Sequence, residues 1–274
     1  MTLTVAADRH ASRIVDRAFA AVGPRGPAAF VWGDFVTAPG TVVTGAPGTW
    51  APRPGGTPGL VVTARADEGV EIGGAPVDGE AVLFARAADG PTVARFRDGA
   101  EGVVFTYDDS KYALQVWNPN SDWARRFATI SAYPYDPTWV VRGLVTPVSA
   151  GRTVAISHHR DPRPVEVPVV AEVRFAHDGE EHVLVATAPG PDQDGLILLF
   201  TDATSGPETY AAGRVLRIPT SLGSVTLDFN ETALLPCAFS LAWNCPLPAA
   251  ENALRIPVRA GERHAIDHDG KELL

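Results

Sequence analysis

Arg214, in the last third of this 274-residue chain, is the side chain whose setting most invites chemistry. A guanidinium inside a β run needs carboxylate partners, and Asp202, Glu208, Asp228 and Glu251 are the candidate acids. One reading is a pocket in which Arg214 or Arg126 orients an anionic or carbonyl substrate. Asp228 or Glu251, its pKa raised by apolar neighbours, then acts as acid or base. The expected catalytic set is Tyr210, Arg214, Asp228 and Glu251, and the expected substrate-binding set is Arg126, Trp123, Asn230, Asn252 and Trp243. Trp123 and Trp243 enter as pocket walls because they lie in irregular segments, whereas Trp117 and Trp139 read as core. The same residues have a structural reading. Asp228 and Asn230 in D-F-N cap the turn that follows, Pro-Leu-Pro with Glu251 and Asn252 latches a long loop, and Arg214 closes the latch as a buried ion pair.

Other chemistries are excluded by spacing. Ser149, in P-V-S-A-G, lacks the first glycine of a nucleophile elbow. No G-x-G-x-x-G follows a strand, and neither Lys111 nor Lys271 follows a phosphate loop. His177 and His182 flank an Asp-Gly turn at a spacing that is not H-E-x-x-H, and the adjacent His158 and His159 point to opposite sides of a strand. Cys237 and Cys245 have no nearby C-x-x-C or histidine to complete a zinc site, so they read as a buried thiol pair, with a disulfide as the alternative. No metal and no cofactor is expected.

The elements that must position these groups are short strands. Gly 26 and Pro 24 break the chain often, and 45% hydrophobic residues allow a sizeable core. Apolar residues Val5, Ala6, Ile14, Val15, Ala18, Phe19 and Val22 mark a helix over 4–22 whose stripe should pack on the body. Residues 23–59 read as loop with apolar anchors. Strands follow at 60–66, 69–73, 81–87, 91–97, 102–107 and 112–117, separated by turn residues. After an irregular Arg- and aromatic-rich stretch at 118–137, strands resume at 138–146, 153–157, 165–176, 181–187, 195–201, 212–218, 222–229 and 253–259. Pro168 demotes part of one run to an edge or bulge, and 230–252 reads as a long ordered loop or lid. The expected fold is all-β, barrel- or sandwich-like, with two packed β modules and a short N-terminal helix. Its divisions are a helix at 1–27, a β module at 28–118, a barrel-like module at 119–265 and a tail at 266–274.

A formal charge of −9 with only two lysines speaks against nucleic acid and anionic lipid as partners. No apolar run reaches the ~18 to 20 residues of a membrane span. Charges at Asp8, Arg9, His10 and Arg13 interrupt what would be a signal peptide, so a cytoplasmic location is expected.

The segments F-T-D-A-T-S-G-P-E-T-Y-A-A-G-R-V-L, L-D-F-N, P-C-A-F and C-P-L-P-A-A-E-N-A-L-R-I-P-V-R-A-G-E-R resemble the hallmarks of the bacterial DUF1684 family, which has no assigned function. Ser121, Arg125, Arg126, Phe127, Tyr133, Asp136 and Trp139 are similar to its central segment, and the resemblance spans about residues 30–264. Tyr210 ranks first among the tyrosines because it lies inside a family motif. Departures are specific: Ala211 and Ala212 stand where the family usually has glycine, Leu235 precedes Pro236-Cys237, and Ala249-Ala250 replaces Pro-Pro. Alanine at 211 and 212 would narrow a site lined there. The resemblance implies a divergent member suited to specialised metabolism. Three functions follow as expectations: a metal- and nucleotide-independent hydrolase, lyase or cyclase in a barrel mouth; a small-ligand-binding barrel; or a scaffold whose motif residues brace the long loop.

Overall fold

The structure, a computed structural model, describes residues 3–56, 58–108, 111–188 and 194–274. It is mostly β, with antiparallel sheets throughout and none closed into a barrel, so the sandwich-like alternative holds and the barrel expectation is corrected. The chain divides into two compact units, one of residues 20–127 and one of 1–19 with 128–274.

The unit of residues 20–127 is built from ten strands. These are β1 (Phe30–Phe35), β2 (Thr41–Val43), β3 (Ala46–Pro52), β4 (Gly59–Ala64), β5 (Val70–Ile72), β6 (Ala75–Pro76), β7 (Gly79–Phe84), β8 (Val93–Phe96), β9 (Glu101–Asp108) and β10 (Lys111–Trp117). They form a six-stranded sheet in the order β1-β10-β9-β8-β5-β6 and a four-stranded sheet in the order β2-β3-β4-β7. Leu60, Val62 and Ala64 of β4 share one core with Trp50, Leu83, Leu114 and Val116, as alternation along strands requires. The stretch 23–59 is therefore not loop. It contributes three strands, and Trp50, fully buried on β3, is its central anchor. A five-residue helix, α2 (Asp122–Arg126), closes the unit, its first turn capped by the Ser121 hydroxyl.

The other unit opens with helix α1 (Leu3–Ala21), nineteen residues long rather than short. Its strands are β11 (Phe127–Ala132), β12 (Val140–Pro147), β13 (Thr153–His158), β14 (Asp161–His177), β15 (Glu180–Thr187), β16 (Leu196–Phe200), β17 (Arg214–Ile218), β18 (Gly223–Asp228), β19 (Ala233–Leu234) and β20 (Glu262–Asp267). The main sheet runs β18-β12-β14-β15-β16-β17-β19, and β11 pairs with β20 apart from it. Strand β14 serves two partners: its first half pairs with β13 up to Pro168, then a bulge at Val169/Ala171 turns the rest into the main sheet. The turn into β15 uses Asp178 at φ 50° and Gly179 at φ 82°, the left-handed pair a two-residue hairpin demands. Inward residues of β16 (Leu196, Leu198, Phe200) and β17 (Arg214, Leu216, Ile218) alternate into one core with Phe175, Leu184 and Phe229. Arg214 thus occupies an apolar position, in register between Phe200 and Leu234. The strand expected at 253–259 does not form. Those residues run as extended chain outside the ladders, and β20 begins only at Glu262.

Candidate functional site

Arg214 is fully buried, and its fork is spent on the chain itself. One terminal nitrogen donates to the carbonyl oxygens of Ala260 (2.7 Å) and Glu262 (3.1 Å). The other donates to Asp202 Oδ2 (2.8 Å) and the Val258 carbonyl (2.7 Å). Nε alone lacks an acceptor among the described residues, and the guanidinium carbon stands 5.8 Å from the centroid of the Phe200 ring. Asp202 is saturated in turn. Its Oδ1 accepts from the Thr204 N–H (2.8 Å), the Thr204 hydroxyl (2.6 Å) and the Val258 N–H (3.1 Å). The segment 257–261 lacks a ladder of its own, and Arg214 with Asp202 supplies what a neighbouring strand would. Asp202 is the acid the fold selects from the four candidates.

The asparagines serve the same end. Asn252 is buried, and its amide acts as a peptide group set between β15 and β16, which share only the Thr187–Ile197 pair. It accepts from the Val185 N–H (2.8 Å) and donates to the carbonyls of Val185 (2.9 Å) and Leu199 (2.8 Å). Asn230 accepts from the Asp136 N–H (2.9 Å) and donates to the Asp136 carbonyl (2.8 Å) and Asp228 Oδ1 (2.9 Å). Asp228 also receives the Asn230 N–H, so D-F-N is a capped turn that holds the proline-rich 133–137 segment.

Tyr210 donates to the Cys237 carbonyl (3.1 Å), and burial, followed by the Cys237 side chain beside it, pushes its phenol well above the ordinary range. Cys237 and Cys245 are buried free thiols, packed with Leu235 against Tyr210, Trp243, Leu199 and Val215. The Cys237 N–H donates to Cys245 Sγ (3.2 Å), which favours the thiolate, but the thiol–thiol hydrogen bond with Cys237 and then burial outweigh it and drive the Cys245 thiol upward. Trp243 is thus wall of a packed cluster.

The remaining expected residues stand apart from Arg214. Glu251 is exposed on the short 250–252 turn of helix, away from the buried network. Trp123 and Arg126 lie on α2 in the other unit, where the Arg126 guanidinium sits 5.3 Å from the centroid of the Trp123 ring. His177 stacks on Trp139 at 3.9 Å and His182 tilts against Phe175, so both histidines act as aromatic packing. Among the described residues, no group of three or more His, Cys, Asp or Glu side chains is arranged to hold a metal ion.

A family profile described as a protein of unknown function, DUF1684, matches residues 125–263, half of the chain. The chain belongs to the DUF1684 family. No curated protein matches it. Among solved structures it is similar to the solution NMR structure of an uncharacterized protein from gene locus rrnAC0354 of Haloarcula marismortui. The two are 33% identical over 52% of this chain and 80% of that one, with a TM-score of 0.42. The departures from the DUF1684 pattern now have a physical meaning. Gly213, the glycine retained, has φ 90°, and a Cβ there would meet the Phe200 carbonyl oxygen at 2.5 Å. Ala211 is exposed and Ala212 half-buried, both without a left-handed backbone, so alanine costs nothing at either place.

Two further groups complete the DUF1684 unit: Glu262, which sequence reasoning did not single out, and Glu208, which it offered as a partner of Arg214. Glu262 is fully buried and accepts from the Leu234 N–H (2.8 Å) and from Arg17 through both oxygens, with Arg13 at 3.7 Å. It lies in the quoted G-E-R segment, but nothing local marks a carboxylate that pairs 245 residues away. Glu208 sits half-buried at the surface, gripped by Arg259 at 2.7–3.2 Å and by the Tyr133 hydroxyl at 2.9 Å. The Arg259 hydrogen bonds, then that of Tyr133, hold its carboxyl at about 2. A carboxylate depressed below its ordinary value lends stability above that value and loses it as pH falls through the folded value. We expect a side-chain carbon resonance of Glu208 to titrate near pH 2, and Arg259→Met to raise the midpoint toward the ordinary glutamate range. An unshifted midpoint in the variant would refute the pairing.

The open depression nearest these groups is a cleft of about 60 Å³ beside α1, lined by Arg9, His10, Arg13, Tyr135, Asp228 and Asn230. It has room for a few water molecules. Among the described residues, no helix is long and apolar enough to cross a membrane.

Proposed function

We propose that this DUF1684 member is a non-catalytic interaction module whose motif residues fix the shape of a surface rather than process a substrate. The observation that carries this reading is the state of Arg214: fully buried, with both terminal nitrogens committed to Asp202 and three backbone carbonyls. A substrate-orienting arginine needs a free donor facing a space that a ligand can enter. Asn230 and Asn252 support the same reading, since their amide groups are bonded to neighbouring chain.

An acid-base enzyme of small molecules is the second reading, and the cleft beside α1 is what favours it, because Asp228, Tyr135 and His10 meet there at the surface. The experiment that separates the two is incubation of the full chain with the small-molecule extract of its host, followed over hours by mass spectrometry. The interaction module leaves every metabolite at its starting level. Depletion of a metabolite by the native chain, lost in Asp228→Asn, would overturn the proposal in favour of an enzyme.

A further inference from the structure

Helix α1 docks on its unit by a mixed face that carries His10, Arg13 and Arg17 beside Ala6, Ile14 and Ala18. Ala6 and His10 are buried against the unit, and the His10 ring nitrogen lies 3.0 Å from the Tyr133 carbonyl oxygen. Arg13 donates to the Asn230 carbonyl (2.7 Å), and Arg17 pairs with the buried carboxylate of Glu262. This anchoring splits the apolar stripe: Ala6 is buried and Ile14 and Ala18 are half-buried against the unit, while Val5, Val15 and Phe19 face outward. Phe19 is 82% exposed and Val15 is 67% exposed. They end a row at every fourth position, Leu3, Ala7, Ala11, Val15 and Phe19, all of it at the surface. Such a row is the ridge by which helices pack, crossing a partner's matching ridge at about −50°. Two small residues in its middle permit close approach, and Phe19 offers a large side chain to fill a partner's groove.

The flanks of the ridge carry the sign of the partner. The next row holds Thr4, Asp8, Ser12, Asp16 and Ala20, all exposed. Neither Asp8 nor Asp16 takes part in an ion pair among the described residues. Of the basic side chains of α1, Arg13 and Arg17 are turned inward to Glu262, leaving the exposed Arg9 against the two aspartates of this row. An antiparallel second copy would set this acidic row against itself. The whole chain, at −9, also repels its own kind.

We propose that the Leu3–Phe19 ridge of α1 is a docking site for an amphipathic helix of another protein, one whose apolar ridge is flanked by lysine or arginine. This deepens the interaction-module reading and rests on it, naming the face and the chemistry of the partner.

The test uses the full chain and two synthetic 18-residue helical peptides. Both have Leu or Ala at every fourth position, and they differ only in carrying Lys or Glu beside that row. Fluorescence anisotropy should show the Lys peptide binding at least tenfold more tightly than the Glu peptide, with the gap narrowing as salt is raised. Val15→Gln with Phe19→Gln should weaken the Lys peptide at least tenfold while the melting temperature stays unchanged. Asp8→Asn with Asp16→Asn should bring the two peptides together. Equal binding of the two peptides, or none of either, overturns the proposal. So does sedimentation of the native chain as a dimer that Phe19→Gln converts to monomer. Failure here leaves metabolite levels unchanged and removes only the ridge, whereas metabolite turnover would remove the interaction-module reading itself.

Discussion

Replacing Arg214 by Met is expected to cost about 3–5 kcal/mol of folding free energy, read as a fall in the urea midpoint. Three losses coincide. Asp202 keeps its charge in a fully enclosed place without its counter-ion, and the carbonyls of Val258, Ala260 and Glu262 lose their donors. The segment 257–261, which has no ladder to fall back on, then loses its attachment. Arg214→Lys retains charge but not the planar fork that reaches four oxygens, so it should recover less than half of the deficit. Adding Asp202→Leu to Arg214→Met should restore part of the loss by removing the stranded carboxylate. It cannot restore all of it, because Thr204 and Val258 lose an acceptor as well. A deficit under about 1 kcal/mol for Arg214→Met would mean that the buried fork does not hold this segment.

That cluster shows how far sequence reaches. Residue type made Arg214 conspicuous, because a guanidinium at an inward β position must find acids and carbonyls, and Asp202 stood among its four candidate partners. What sequence does not carry is access to solvent. Catalytic and bracing roles draw on the same residue types, and burial decides between them. Asn230 and Asn252 are cases in point: an amide that bonds a substrate and one that replaces a missing stretch of ladder look identical in a string of letters. The structural reading of D-F-N and of the Pro-Leu-Pro latch describes what forms at Asn230 and Asn252, while Glu251 is left out at the surface.

The all-β class and the strands from 60 to 117 were legible because Val, Ile and Phe alternate between Gly and Asp turns there, but their pairing was not, since β4 joins β7 and β5 joins β8 in separate sheets. The three strands before residue 53 were not. In β3, Pro47, Gly48 and Pro52 mask a strand whose one strong signal is Trp50, since proline and glycine argue against central strands. For α1 the periodicity identified the helix but only part of its buried face: Ala6, Ile14 and Ala18 turn inward, whereas Val15 and Phe19 do not. An apolar stripe gains by burial, but a buried carboxylate on the unit's surface must be neutralised, and the face that carries Arg13 and Arg17 meets that demand. Long-range pairing of this kind leaves no local trace.

Glu262 is therefore the residue on which the orientation of α1 turns, and Glu262→Ala should be the second severe substitution, with a loss of about 3–5 kcal/mol. The loss has two parts. The Leu234 N–H is left without an acceptor inside the protein, and Arg13 and Arg17 lose the charge that draws the helix down by this face. Hydrogen exchange locates the effect: amides of residues 3–19 should exchange much faster in the variant, while those of β15 and β16, held by Asn252, should change less. Arg17→Ala removes a side chain that is 38% exposed and leaves Glu262 its bond to Leu234 and its pairing with Arg13, so its cost should be smaller. If Glu262→Ala lowered stability but left exchange in α1 unaltered, the helix would be held by Ala6 and His10 instead. The outward ridge would then owe its direction to packing rather than to charge. If exchange in α1 alone rises, the buried carboxylate is what turns Val15 and Phe19 toward water.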